Sequence, residues 1–96
     1  NIILDPGIGF GKSVAQNMAL INHLDIIRTL GYPVLLGVSR KSFIGFSQDI
    51  PPSERLEGSL AAAVVGIARG ADIIRAHDVK ETVRAARLAD AVVRGN

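Results

Sequence analysis

Three short apolar runs alternate with longer stretches in which apolar positions recur every three or four residues. The first run, Asn1-Ile2-Ile3-Leu4-Asp5, is closed by Asp-Pro-Gly, the pattern of a strand entering a turn. The second starts at Pro33 and reads Val34-Leu35-Leu36-Gly37-Val38-Ser39-Arg40-Lys41-Ser42; the third is Ala71-Asp72-Ile73-Ile74-Arg75-Ala76-His77. Between the first two, Val14, Met18, Ile21, Leu24 and Ile27 keep the 3.6-residue period and predict a helix from about Val14 to Leu30, stopped by Gly31. A second helix is expected from Glu54 to Arg69, with Ser53 as its N-cap and Glu54 near the positive end of its dipole. Its Leu60-Ala61-Ala62-Ala63-Val64-Val65 stretch is apolar nearly all round, which places it in a core or at an interface. Gly58 and Gly66 weaken that helix and so mark close packing contacts. Asp78, with Glu81 three residues on, reads as a capping box. It opens a last helix running to about Val93, with Val79, Val83, Ala86 and Ala89 inward and Gly95 as its stop.

The order is βα, βα, βα, which argues for a parallel sheet with right-handed crossovers. Three such units cannot close a barrel; alone they make a thin open sheet. With 96 residues, 48% of them hydrophobic, the chain forms at most one small globular unit. It has no cysteine, which excludes disulfide frameworks and thiolate metal sites and fits a cytoplasmic setting. A net charge of +2 is too slight to argue for nucleic acid or a membrane surface. No apolar run approaches the ~20 residues of a membrane span. The abrupt opening on a strand suggests that residue 1 is not a natural start.

Alternation along the strands then singles out the polar positions. In the second strand Val34, Leu36 and Val38 share a face fit to pack under helices, while Leu35, Gly37, Ser39 and Lys41 share the other. Asp5, Lys41, Arg75 and His77 all sit at carboxyl ends of strands, on the faces opposite the helix-facing sets. Parallel sheets place their sites at that end. A carboxylate, an ammonium, a guanidinium and an imidazole gathered there suit a polar heterocycle joined to an anion. The plainer alternative is a set of loop residues that keep strand ends soluble, and the agreement of three strands weighs against it.

Other features carry less. The loop Gly7-Ile8-Gly9-Phe10-Gly11-Lys12-Ser13 is not a Walker A motif, because Pro6 stands where the first glycine belongs. It is not a dinucleotide fingerprint either, because Lys12 and Val14 replace the third glycine in the two possible frames. Phe10 is either presented by this loop or tucked into the core. His23 reads as a solvated helix residue, and Arg84, Arg87 and Arg94 as an exposed basic face. Arg55 and Glu57 cap a helix more naturally than they form a lid. Metal ligation has no support, since Asp5 has no partner at ligand spacing and His77 has only Asp78, which reads as engaged in the helix cap.

Taken together, Asp5-Pro-Gly-Ile-Gly-Phe-Gly-Lys12, Gly37-Val-Ser-Arg-Lys-Ser42, Glu54-Arg-Leu-Glu-Gly-Ser59 and Ile74-Arg-Ala-His-Asp-Val79 resemble the dihydropteroate synthase family, in order and spacing, over nearly the whole chain. That family is a pterin-binding TIM barrel. The resemblance implies an α/β fold: residues 1–96 as a parallel (βα)3 segment, the last three units of a (β/α)8 barrel. The chain is thereby read as a C-terminal fragment of a single domain, with the N-terminal units absent. The implied activity joins p-aminobenzoate to 6-hydroxymethyl-7,8-dihydropterin pyrophosphate, giving 7,8-dihydropteroate and pyrophosphate for folate biosynthesis. By the same resemblance Asp5, Gly37 and Lys41 would bind the pterin. Gly9, Phe10, Lys41 and Ser42 would meet p-aminobenzoate, and Arg75 and His77 the departing diphosphate. Asp5 and Lys41 are the implied catalytic pair. The resemblance also implies Mg2+, held by an asparagine outside this chain, a sulfonamide target, and a cytoplasmic homodimer of the whole enzyme. Two readings compete: the pterin-binding domain of a methyltetrahydrofolate-dependent corrinoid methyltransferase, and an inactive barrel remnant. A methyl-transferring domain receives no diphosphate, so Arg75 and His77 speak for the synthase.

Overall fold

The computed structural model describes residues 2–9, 13–38 and 50–95. Helix α1 (Val14–Asn22) starts where the apolar period begins. Its start is fixed by a capping box absent from the sequence expectations: the Gln16 N–H donates to Ser13 Oγ at 3.1 Å and the Ser13 N–H to Gln16 Oε1 at 2.9 Å. The single long helix expected here is broken at His23, and α2 (Leu24–Arg28) follows. The jog delivers Leu24 fully into the core, while Val14 and Met18 stay 39% and 37% exposed.

Strand β1 (Leu35–Gly37) pairs in parallel with β2 (Ile73–Arg75), Leu35 opposite Ile73, Leu36 opposite Ile74 and Gly37 opposite Arg75. On the other edge of β1 the first apolar run forms only a bridge, not the expected strand. The Leu4 N–H donates to the Pro33 carbonyl at 2.9 Å and the Leu35 N–H to the Leu4 carbonyl at 2.8 Å. Pro6 then lacks a donor to continue the ladder, and the Gly7 N–H turns back to Asp5 Oδ1 at 2.8 Å. Three parallel neighbours thus lie in chain order, with β1 in the middle.

Both helical crossovers cover one face of this sheet. Leu36 is fully buried, and a Cβ placed on Gly66 of α3 (Leu56–Ala68) would fall onto Leu36 Cδ2 and lie 3.7 Å from Leu24 Cδ1 of α2. Ile8, Ile21, Leu24, Val34, Leu36, Val38, Ala63 and Ala71 make the core between sheet and helices. Each such side chain contributes about 1.5–3 kcal/mol when fully buried, the alanines less. On the opposite face Ile3 is 55% and Ile73 38% exposed, and no helix of the described residues covers them.

Two expected helix starts are corrected. Ser53 lies in a 3₁₀ turn (Pro52–Glu54), and α3 begins after Arg55, whose Nε donates to the Ile50 carbonyl at 2.7 Å. Asp78 does occupy the N-cap of α4 (Val79–Arg94), but its side chain makes no capping bond. Its ψ of 74°, against 166° at Ser13, does not aim the carboxylate at the first helical amides. Helix α4 packs chiefly on α3 and buries Ala89, as expected, together with Thr82, and half-buries Ala86, while Val79 and Val83 of the expected stripe stay 62% and 40% exposed. Gly95 ends it in the left-handed conformation, as expected.

The amino end of the sheet is tied by charge. Asp72 Oδ2 accepts the Val34 N–H at 2.9 Å and pairs with Arg28 Nε at 3.1 Å. Arg94, expected as a plain exposed cation, donates from Nη2 to the Ala71 carbonyl at 2.7 Å and pairs with Asp90 at 3.1 Å.

Candidate functional site

The polar residues lie at the other end of the sheet. Register puts Gly37 directly opposite Arg75, and the missing side chain of Gly37 decides what happens there. A Cβ at Gly37 would lie 2.7 Å from Arg75 Nη2 and 3.2 Å from both Cζ and Nε. The guanidinium therefore rests on the bare backbone of β1. It makes no hydrogen bond or ion pair with the described residues, so its donors stay available to an anion.

Asp5 lies one residue past the bridged Leu4, on the same side of the ladder as Leu35 and Gly37 by alternation. It is exposed. One oxygen, Oδ1, is engaged by the Gly7 N–H at 2.8 Å, which orients the carboxylate. Its second oxygen has no partner among the described residues. His77 follows β2 by two residues and is exposed at the same end.

Gly9 is held by a residue that sequence reasoning missed. Its N–H donates to Oδ1 of Asn17, a buried side chain on α1, at 2.7 Å. The signal was present: Asn17 falls four and seven residues before Ile21 and Leu24, in the stripe that enters the core. Phe10, Lys41 and Ser42, together with Lys12, Ser39 and Arg40, lie outside the described residues. The structure thus brings Gly37 and Arg75 together and places Asp5, Gly9 and His77 along the same sheet end. Among the described residues no three of His, Asp and Glu gather as a metal site, and no helix is long and apolar enough to cross a membrane.

A parallel sheet covered by helices on one face, with a carboxylate and a guanidinium that has no partner among the described residues at its carboxyl ends, defines a protein class that comparison with known families makes specific. The family described as pterin binding enzyme matches residues 1–77, and the chain belongs to it. Within that family it is similar to dihydropteroate synthase. The enzyme of that name from Clostridium beijerinckii is 55% identical over 95 residues, which are 98% of this chain and 35% of the relative. The Clostridium difficile dihydropteroate synthase, crystallised in the presence of pteroic acid, superposes with a TM-score of 0.92 at 52% identity, covering 97% of this chain and 35% of that one. The Yersinia pestis enzyme, in a complex with a sulfonamide drug, gives 0.92 at 46% identity, covering 98% of this chain and 34% of that one. The chain thus spans about a third of the length of the relatives it matches.

Proposed function

We propose that residues 1–96 are the last three βα units of a single pterin-binding TIM-barrel domain. The whole enzyme would be a transferase that condenses 6-hydroxymethyl-7,8-dihydropterin pyrophosphate with p-aminobenzoate, giving 7,8-dihydropteroate and pyrophosphate in folate biosynthesis. One observation carries the reading: an Arg75 guanidinium without a partner among the described residues, seated on Gly37 at the carboxyl end of a parallel strand pair. One-sided helix cover supports the barrel, since a doubly wound sheet needs helices on both faces.

In this reading the aminobenzoate nitrogen forms a bond to the exocyclic methylene carbon of the pterin. The carbon–oxygen bond to the diphosphate breaks, the diphosphate takes the electron pair, and the amine gives up a proton. The carboxylate of Asp5 accepts hydrogen bonds from the paired N–H groups of the pterin edge. Arg75 offers a planar fork to the diphosphate oxygens and, with His77, stabilises charge as it develops on the leaving group. Gly9, Phe10, Lys41 and Ser42 meet the aminobenzoate, and Lys41 also reaches the pterin. Mg2+ belongs to this reading only through the rest of the enzyme. The described residues do not furnish it a site, and none of these steps passes through it. A homodimer of the whole enzyme and a cytoplasmic setting complete the proposal.

The test is turnover by the whole enzyme. Pyrophosphate release should require both substrates, and a sulfonamide should compete with p-aminobenzoate. Release that ignores aminobenzoate, or methyl transfer from methyltetrahydrofolate in its place, would contradict the reading. Within it, Lys41→Ala should cost about 10- to 150-fold in turnover, the value of a charged hydrogen bond in a closed site. Lys12→Ala should cost much less, as a solvated lysine contributes about 0–1 kcal/mol. Equal losses would shift the main anion contact to the glycine-rich loop.

A further inference from the structure

We propose that Asn17 is a positioning residue: it fixes the path of the loop after Asp5 and thereby sets affinity for the aromatic amine substrate. The substrate half of this inference rests on the function proposed above; the loop half rests on geometry alone. Asn17 is 2% exposed, one turn inside a helix whose start is locked by the Ser13–Gln16 box. A buried amide is unfavourable unless its polar atoms are satisfied. Here Oδ1 takes the Gly9 N–H at 2.7 Å.

That bond completes a chain of restraints. Asp5 Oδ1 accepts the Gly7 N–H at 2.8 Å. Ile8 is 1% exposed and belongs to the core cluster with Ile21 and Leu24. Gly7 and Gly9 have φ of 73° and 90°, values that other residues rarely adopt, so the loop follows one defined course between its anchors. Gly9 adjoins Phe10, and both are assigned to the aminobenzoate edge. Gly9 is itself exposed. If Asn17 is lost, its N–H can turn to water, so the loop is released while the core remains. A residue of purely structural value would not behave this way.

The experiment uses the whole enzyme. Asn17→Leu is expected to raise KM for p-aminobenzoate about 3- to 10-fold, the range of one neutral hydrogen bond, and to leave KM for the pterin pyrophosphate within about two-fold. Asn17→Asp keeps the accepting oxygen at the cost of a buried charge, and in folded enzyme its KM for p-aminobenzoate is expected to lie below that of Asn17→Leu. Both KM values rising together would overturn the proposal. So would an Asn17→Asp enzyme as impaired as Asn17→Leu with an unchanged circular dichroism spectrum. If Asn17→Leu does not fold, Asn17→Ala takes its place with the same expectations. A second readout needs no turnover: exchange of the Gly9 amide hydrogen, followed by NMR, should accelerate about 10-fold in the variant that lacks the acceptor. Unchanged exchange would overturn the loop anchor. A parent enzyme that consumes neither substrate would defeat the proposed function instead, and Gly9 exchange would still decide the part played by Asn17.

Discussion

At the scale of single residues, the observation with most consequence is that the space above Gly37 is taken by Arg75. By the family resemblance, Gly37 is expected to bind the pterin. In the structure a Cβ there would lie 2.7 Å from the Arg75 guanidinium. The obstructed atoms are the far end of a flexible side chain, so Gly37→Ala should leave the fold standing and push the guanidinium aside. In the whole enzyme we expect a loss of about 1.5–3 kcal/mol in kcat/KM for the pterin pyrophosphate, the range of a charged hydrogen bond. In an Arg75→Ala background the same substitution should cost less than about two-fold, because its effect runs through the missing group. Steady-state kinetics on the four enzymes decides it, and equal penalties in both backgrounds would contradict the contact. Strand alternation is enough to place Gly37 and Arg75 on equivalent faces. That they are directly opposite depends on register, which is set by the pairing of segments far apart in sequence. Asn17 escapes notice for a different reason: a polar residue in an apolar stripe is legible as buried, but its partner in a glycine-rich loop is not.

At the scale of elements, Gly66 makes the clearest case. The sequence marks it as a close packing contact, and it is: Leu36, fully buried on β1, fills the place of its Cβ. Because Leu36 is enclosed and cannot yield, Gly66→Ala should destabilise the whole enzyme by about 1–3 kcal/mol, lowering Tm by about 2–4 °C per kcal/mol. A thermal melt unchanged from the parent would show that α3 can rise off the sheet without cost. The starts of the last two helices are less legible than their middles. Ser53 and Asp78 have the right chemistry for caps, yet the 3₁₀ turn displaces one and backbone geometry turns the other. Capping depends on a single residue's ψ, whereas the body of a helix is recorded repeatedly in its apolar period. The break at His23 is illegible for the converse reason. The period runs unbroken through it, and only the demand of the core for Leu24 reveals the jog. The stripe of α4 departs from expectation at Thr82, which is buried, and at Val79 and Val83, which are exposed; Ala89 is buried as expected.

At the scale of the molecule, the same sheet has one face covered by helices and one face of exposed Ile3 and Ile73 with half-buried Leu35. In the proposed barrel that face meets the strands of the other units. The polypeptide of residues 1–96 alone should therefore self-associate or melt without cooperativity, since apolar patches of this kind drive association. Sedimentation at high micromolar concentration checks this; a monomer with a sharp thermal transition would contradict it. The α/β class is legible because strand and helix periods alternate along the chain, and the common sheet end of Asp5, Arg75 and His77 because strand alternation alone places them there. Barrel closure is not legible in this chain, because it would depend on partners that only the exposed Ile3 and Ile73 imply. The central claim is that the carboxyl ends of these strands bind the pterin pyrophosphate. Its most direct test is the kcat/KM of Asp5→Asn and Arg75→Ala in the whole enzyme, with KM for p-aminobenzoate measured alongside. The account predicts a fall of about 10- to 150-fold in kcat/KM for the pterin pyrophosphate in each variant, with KM for p-aminobenzoate nearly unchanged. Two variants that bind and turn over the pterin pyrophosphate as the parent does would contradict it.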